Sequence, residues 1–418
     1  MSSMEGKQIE HMRILIIGNY GGVNFGDEFI LESLIKLMQR LGISKKQISV
    51  LGWDEQFIQE RYRVNGVFFA HPLSTKFFRM LFSKRNLMNV WLAFLNADLI
   101  IIGGGGIIED ATPSALIHYS LPVIIGNILG KKVTMFSIGI GPLTTFLGKE
   151  IARATLDLCD LIYVRDIRSY VLANQLSIKT GIRITIDPAL AYVPSISVKH
   201  KNNRLPHIGI QRIGIALTVY PNARYLEDKA VNIICKLLYL LLHDEKGAII
   251  IFFSGSEKNI LYKLQRRLGN SKLRQVIYVN TRQYEVTSIL EIVKQLTLMI
   301  SMRLHFAIAA KTCGIPLILL SCLDKVRDFA QNNRIPFIDL DKATDKLEAN
   351  RLLVRCFSDY SICSNKPLEN QKILLDHLTD IITEEVPRKS KGRRLIQLIC
   401  LSLLWMVYAL LKILSSAR

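Results

Sequence analysis

The sequence predicts an α/β protein built from two open parallel-sheet halves and a basic, apolar tail. Three observations lead there. Short branched apolar runs alternate with amphipathic stretches along most of the 418 residues, the pattern of parallel strands joined by helical crossovers. A polar stretch bracketed by prolines, PSISVKHKNNRLPH (194–207), interrupts that alternation, as a domain boundary does. Residues 388–414 then change character altogether. The expected bounds are 12–195 for a first Rossmann-like domain, 207–385 for a second, and 388–418 for the tail. Open α/β sheets bind ligands beyond the carboxyl ends of their strands, so a cleft faced by both domains is the expected site.

In the first half, RILIIGNY, QISVLGW, ADLIIIGGGG, KKVTMFSIGIG, DLIYVRD and IRITID read as strands. DEFILESLIKLMQRLG reads as a helix, with Ile30, Leu34, Leu37 and Leu41 at helical spacing. Asp27 is its expected N-cap, and Gly42 lies just past its end. In the second half the strands are IGIALTVY, GAIIIFFSG, QVIYVN, LMISM, PLILLS and PFIDL, with helices between several of them, the first near 225–243.

Half of the residues are hydrophobic, enough for two cores and against disorder. The net charge of +19 implies an anionic partner such as acidic lipid or a phosphorylated substrate. No zinc-finger, KH or RRM signature accompanies it, which argues against nucleic acid. Seven cysteines without a C-x-x-C pair read as idle thiols in a reducing compartment, with neither a disulfide framework nor a zinc site. The polar start, MSSMEGKQIEHM, lacks the apolar core of a signal peptide and is expected to begin in the cytoplasm.

The tail pairs RKSKGRR (388–394) with LIQLICLSLLWMVYALLKIL (395–414). That apolar run is about the ~20 residues that a helix needs to cross a bilayer. The basic cluster would hold its own side at the cytoplasmic face and attract anionic lipid. The expectation is a membrane-associated helix anchoring the chain to the cytoplasmic side of the plasma membrane. A helix packed on the protein itself is the plainer alternative.

Glycine-rich strand ends mark the first half. GNYGGVNFGDEFI (18–30) joins a strand to a helix, where free N–H groups can face an anion or a hydroxyl-rich ligand. It fits neither G-x-G-x-x-G nor a P-loop. LIIIGGGGIIEDATP (99–113) carries four successive glycines followed by Glu109 and Asp110, and SIGIGPL (137–143) ends a third strand. YVRDIRS places Arg165 beside Asp166, either as a surface ion pair or as an anion clamp. In LMISMRLHFAIAA (298–310), Arg303 and His305 interrupt an apolar run, and a cation there needs compensation. A satisfied core histidine would be the ordinary reading of His305, but an arginine two residues away weakens it. LDKVRDF (323–329) adds Lys325 and Arg327 after the next strand.

Taken together, NFGDE (24–28), GGGGIIED (103–110), GIGP (139–142), VRD (164–166), IDPAL (186–190), SMRLH (301–305) and LDKV (323–326) resemble the polysaccharide pyruvyl transferase family. They follow the family's order over residues 12 to about 340, and the tail is outside the pattern. The resemblance implies a fold like that of GT-B glycosyltransferases. It also implies transfer of a pyruvyl group from phosphoenolpyruvate to a hexose as a cyclic ketal, in cell-surface or exopolysaccharide synthesis. By family match, Arg165, His305 and Lys325 are phosphoenolpyruvate-site residues, with Arg303 in the same motif. His305 would be the catalytic acid, since histidine titrates near neutral pH, while Arg165, Arg303 and Lys325 would hold the donor's carboxylate and phosphate.

Placement of the glycine loops points to Asn24, Asp27 and Asp110 for the acceptor. No metal or cofactor is expected, phosphoenolpyruvate being a co-substrate. A membrane-held enzyme would suit a lipid-linked glycan. Two other functions share these features: a GT-B glycosyltransferase using a nucleotide sugar, and a non-catalytic, membrane-tethered glycan-binding protein. The acidic pair of DLD (339–341) suits the first of them weakly, because it reads more simply as a strand end with a helix cap.

Overall fold

In the computed structural model the polypeptide divides into two compact units. The structure describes residues 9–22, 24–70, 83–110, 113–193, 211–219, 223–241, 247–254, 257–272, 276–342 and 367–384, with positions 74, 76, 80, 82, 398 and 401. The first unit holds Met1–Val23, Ile30–Ala191 and Leu368–Arg418; the second holds Asn24–Phe29 and Tyr192–Pro367.

The first sheet contains β1 (Ile14–Ile17), β2 (Ile48–Gly52), β3 (Asn65–Phe68), β4 (Leu99–Ile108), β5 (Lys132–Ile140), β6 (Leu161–Val164) and β7 (Ile182–Ile184). Its helices are α1 (Phe25–Arg40), α2 (Glu55–Tyr62), α3 (Lys84–Asn96), α4 (Pro113–Ile128), α5 (Phe146–Leu158) and α6 (Ile167–Gln175). All pairings are parallel and the strand order is β3-β2-β1-β4-β5-β6-β7. Ile14 registers with Ile48 on one side and Leu99 on the other.

The apolar runs of β1 and β4 are continuous because both faces are covered. Leu15, Ile17, Ile100 and Ile102 join a core with Phe94, Leu116, Ile117, Ile151 and Leu156. Ile14, Ile16, Leu99 and Ile101 pack on the opposite side with Ile30, Leu34, Leu37, Leu374 and Leu378.

The second sheet contains β8 (Gln211–Ala216), β9 (Gly247–Phe253), β10 (Val276–Asn280), β11 (Leu298–Ser301), β12 (Leu317–Ser321) and β13 (Phe337–Asp339). The accompanying helices are α7 (Arg224–Leu241), α8 (Lys258–Lys272), α9 (Val286–Val293), α10 (Leu304–Thr312) and α11 (Asp324–Asn332). The order β10-β9-β8-β11-β12-β13 is again all parallel and reverses between β8 and β11. Ile213, Ile215, Ile249, Ile251, Leu298, Ile300 and Ile318 build its core with Leu226, Ile234, Leu237 and Leu264.

β3 (NGVF) is a strand beyond those expected from the sequence, and three expectations change. Asp27 lies inside the first turn of α1, which begins at Phe25; Asn24 supplies the turn, its side-chain oxygen accepting from the Gly26 N–H at 3.3 Å and its carbonyl from the Glu28 N–H at 3.2 Å. The domain bounds differ at both ends: residues 24–29 group with the second unit, and α12 (Pro367–Thr383), expected in the second domain, belongs from Leu368 onward to the first. The last follows from packing, since Leu374, Leu378 and Ile381 are buried in the core around Ile14 and Ile16.

The 194–207 boundary and most of the 388–418 tail lie outside the described residues. Within the tail, Leu401 is wholly buried in the first unit's core and Leu398 packs against it. No helix among the described residues is long and apolar enough to cross a membrane.

Candidate active site

In the second unit, β11 ends at Ser301 and α10 begins at Leu304, so Arg303 is the N-cap residue at the point where the strand order reverses. Ser301 fixes the turn: its hydroxyl accepts from the Arg303 N–H at 3.0 Å and donates to the Arg303 carbonyl at 2.7 Å. The guanidinium, 18% exposed, is held from several directions. Its Nε donates to the Leu217 carbonyl, just beyond β8, at 2.7 Å. It pairs with Glu257, which is fully buried, and reaches the Ser254 hydroxyl and the Asn24 side-chain oxygen at 3.5 Å each. Burial pushes Arg303 down to about 10, with nearby Asp27 acting in the opposite sense, so it is cationic at neutral pH.

Glu257 was not legible as a site residue. It accepts from the Ser254 N–H at 2.9 Å and from the Ser254 hydroxyl at 3.2 Å, so a loop after β9 supplies the counter-charge. In the sequence, FSGSEKN offers only an acid where a helix cap is ordinary.

His305 lies one turn-step further on, and its ring rests on Gly26. A Cβ at Gly26 would fall 2.2 Å from Nδ1. The turn that carries Gly26 is fastened by aromatic packing: Phe25 meets Phe306 at 4.5 Å between centroids, and Phe306 meets Phe252 at 4.8 Å. The second unit therefore brings Asn24, Asp27, Arg303 and His305 together. Lys325 is exposed near the start of α11, after β12, on the same carboxyl edge of the sheet. The turn before it repeats the Ser301 arrangement, with the Leu323 N–H donating to the Ser321 hydroxyl at 3.0 Å. Arg327 is turned to structure, paired with Asp324 and, at 2.9 Å, with Asp339.

In the first unit, Arg165 follows β6 and is 7% exposed. Of its two readings, the surface ion pair does not hold, because Arg165 and Asp187 are both buried. Nε lies 3.4 Å from Asp166 and Nη1 lies 3.5 Å from Asp187, a residue of the IDPAL segment that sequence reading left without a role. The third nitrogen, Nη2, sits over the glycine strand ends: a Cβ at Gly139 would come within 3.0 Å of it, and one at Gly106 within 3.7 Å. Asp166 also caps α6 through the Ser169 N–H at 2.7 Å, fixing the base of the arginine.

Asp110, expected beside the acceptor, is tied into a turn. Its carboxylate accepts from the Thr144 N–H at 2.8 Å, the Thr145 N–H at 2.7 Å and both threonine hydroxyls. Burial raises its pKa but these hydrogen bonds outweigh it, and the net shift is downward.

Arg303, His305 and the NFGDE turn thus belong to the second unit, and Arg165 to the first. The family model "Polysaccharide pyruvyl transferase" matches residues 24–324, well over half the chain. The chain belongs to this family. No curated protein matches it in sequence. The pyruvyl transferase fold of this chain is shared with distant solved structures. A UDP-GlcNAc 2-epimerase from Methanocaldococcus jannaschii is 13% identical with a TM-score of 0.62, over 88% of this chain and 99% of that one. A UDP-N-acetylglucosamine 2-epimerase-like protein from Listeria monocytogenes is 8% identical with a TM-score of 0.61, over 90% and 99%. A glycosyltransferase from Rickettsia africae is 11% identical with a TM-score of 0.52, over 95% and 98%. These likenesses establish a GT-B-like, two-sheet parallel α/β fold for the family member described here.

Proposed function

We propose that this pyruvyl transferase moves the pyruvyl group of phosphoenolpyruvate onto two hydroxyls of one hexose, forming a cyclic ketal during cell-surface polysaccharide synthesis. The observation that carries the reading is His305, resting on Gly26 beside the buried cation Arg303. A fixed arginine suits a substrate bearing a carboxylate and a phosphate, and a histidine suits a proton transfer near neutral pH. By their motifs Arg303, Lys325 and Arg165 are assigned to the donor's anionic groups, and Asn24, Asp27 and Asp110 to sugar hydroxyls.

His305 gives its proton to the methylene carbon, which becomes the methyl group, and positive charge develops at the neighbouring carbon. One sugar hydroxyl adds there and its proton returns to His305. The carbon–oxygen bond to phosphate breaks, phosphate departs, and the second hydroxyl closes the ring as its proton leaves with phosphate or solvent. The balance needs no oxidant or reductant, and the products are one ketal and one inorganic phosphate. The acceptor proposed is a lipid-linked glycan at the cytoplasmic membrane face, with the basic tail on the lipid side.

The test is product analysis with phosphoenolpyruvate and a hexose-bearing acceptor. Release of inorganic phosphate together with a gain of one pyruvyl ketal supports the reading. Release of a nucleoside diphosphate from a nucleotide sugar, with phosphoenolpyruvate untouched, replaces it with glycosyl transfer.

A further inference from the structure

Helix α3 (Lys84–Asn96) is apolar on both sides, and among the described residues only one side is buried. Val90, Ala93 and Phe94 face the first unit's core. Met88, Trp91, Leu92 and Leu95, at spacings of three and four, form a second stripe that is 42–58% exposed at every position. Phe82, just before the N-cap Ser83, is 87% exposed. Single exposed apolar residues are ordinary; a continuous stripe on one helix face marks a surface with a partner.

Charge identifies the partner. From Arg61 to Ala97 the chain contains six Lys and Arg residues and no Asp or Glu. Lys84 and Arg85 are exposed at the N-terminal end of the stripe. At its other end Lys131 donates to the Leu95 carbonyl at 2.6 Å, and three residues earlier in sequence Ile128 is 65% exposed. A second copy of the chain would bring like charges together, and the tail's own RKSKGRR cluster is basic as well. An apolar stripe with tryptophan and with cations near both ends is the makeup of a helix lying in a bilayer interface.

We propose that α3 is a membrane-contact surface: Phe82, Met88, Trp91, Leu92 and Leu95 enter the acyl boundary of an anionic bilayer while Lys84, Arg85 and Lys131 meet lipid phosphates. This contact lies in the first unit's folded body, separate from the 395–414 segment, and does not depend on the reaction proposed above, because binding is read without substrate.

The test uses the full chain with vesicles of phosphatidylglycerol and phosphatidylcholine. Amide exchange over 84–96 slows on adding vesicles, and the exposed-site double variant Trp91→Glu, Leu95→Glu partitions about tenfold more weakly. Wild-type partitioning also falls in high salt or on pure phosphatidylcholine. Unchanged partitioning of the double variant, with unchanged exchange in α3, overturns the proposal and leaves any binding to the tail. Protection of α3 without vesicles that rises with protein concentration also overturns it, in favour of a second copy.

Discussion

At Gly26 a single added methyl group would overlap the imidazole of His305, and that overlap makes the glycine a sensitive test of where the ring must sit. Gly26→Ala is expected to keep the fold but lower turnover by about a hundredfold, because small displacements of a reacting group are costly; steady-state rates beside a thermal melt separate the two effects. His305→Ala is expected to lower turnover by roughly 10²–10⁴-fold with phosphoenolpyruvate still bound. Near-normal turnover would remove the acid role. The closeness of Arg303 and His305 along the chain was visible in the sequence, since a cation and a histidine in an apolar run demand an explanation. Their partners were not. Glu257 and Asp187 are acids in unremarkable loops, and only the fold brings them to Arg303 and Arg165.

At the scale of elements, the loops at the carboxyl ends carry both the site and its supports. Glu257→Ala removes the charge partner of a largely buried arginine and is expected to cost about 3 kcal/mol of stability, measured by denaturant unfolding. Asp110 fastens the 144–145 turn with four donors, and its folded pKa lies below its unfolded value. Its contribution is therefore fully present above the ordinary carboxylate range, ~3.9, and is lost as pH falls through the folded pKa. Asp110→Asn is expected to flatten the stability profile in that acid window while leaving a loss that persists at neutral pH; parallel melts across pH measure both. Most strands were legible because burial on two faces makes them uninterrupted apolar runs. β3 was not, since four residues opening with Asn-Gly carry a turn's composition.

For the whole molecule, chain order proved a poor guide to which unit an element joins. α12 follows the second sheet in sequence but packs with Ile14 and Ile16 of the first, a choice made by complementary apolar surfaces that local pattern does not reveal. The tail shares that unit through Leu401. Ending the chain after residue 387 is expected to lower the melting temperature, since it uncovers apolar core that Leu401 now fills; calorimetric melts of the two lengths compare them. The central claim concerns the donor, and calorimetric titration of phosphoenolpyruvate into the full-length chain tests it most directly, beside Arg165→Ala and Lys325→Ala. Saturable binding that is lost in both variants is the expected result. Absence of binding to the wild-type chain, with a nucleotide sugar binding in its place, would contradict the account and leave His305 without its proposed proton transfer.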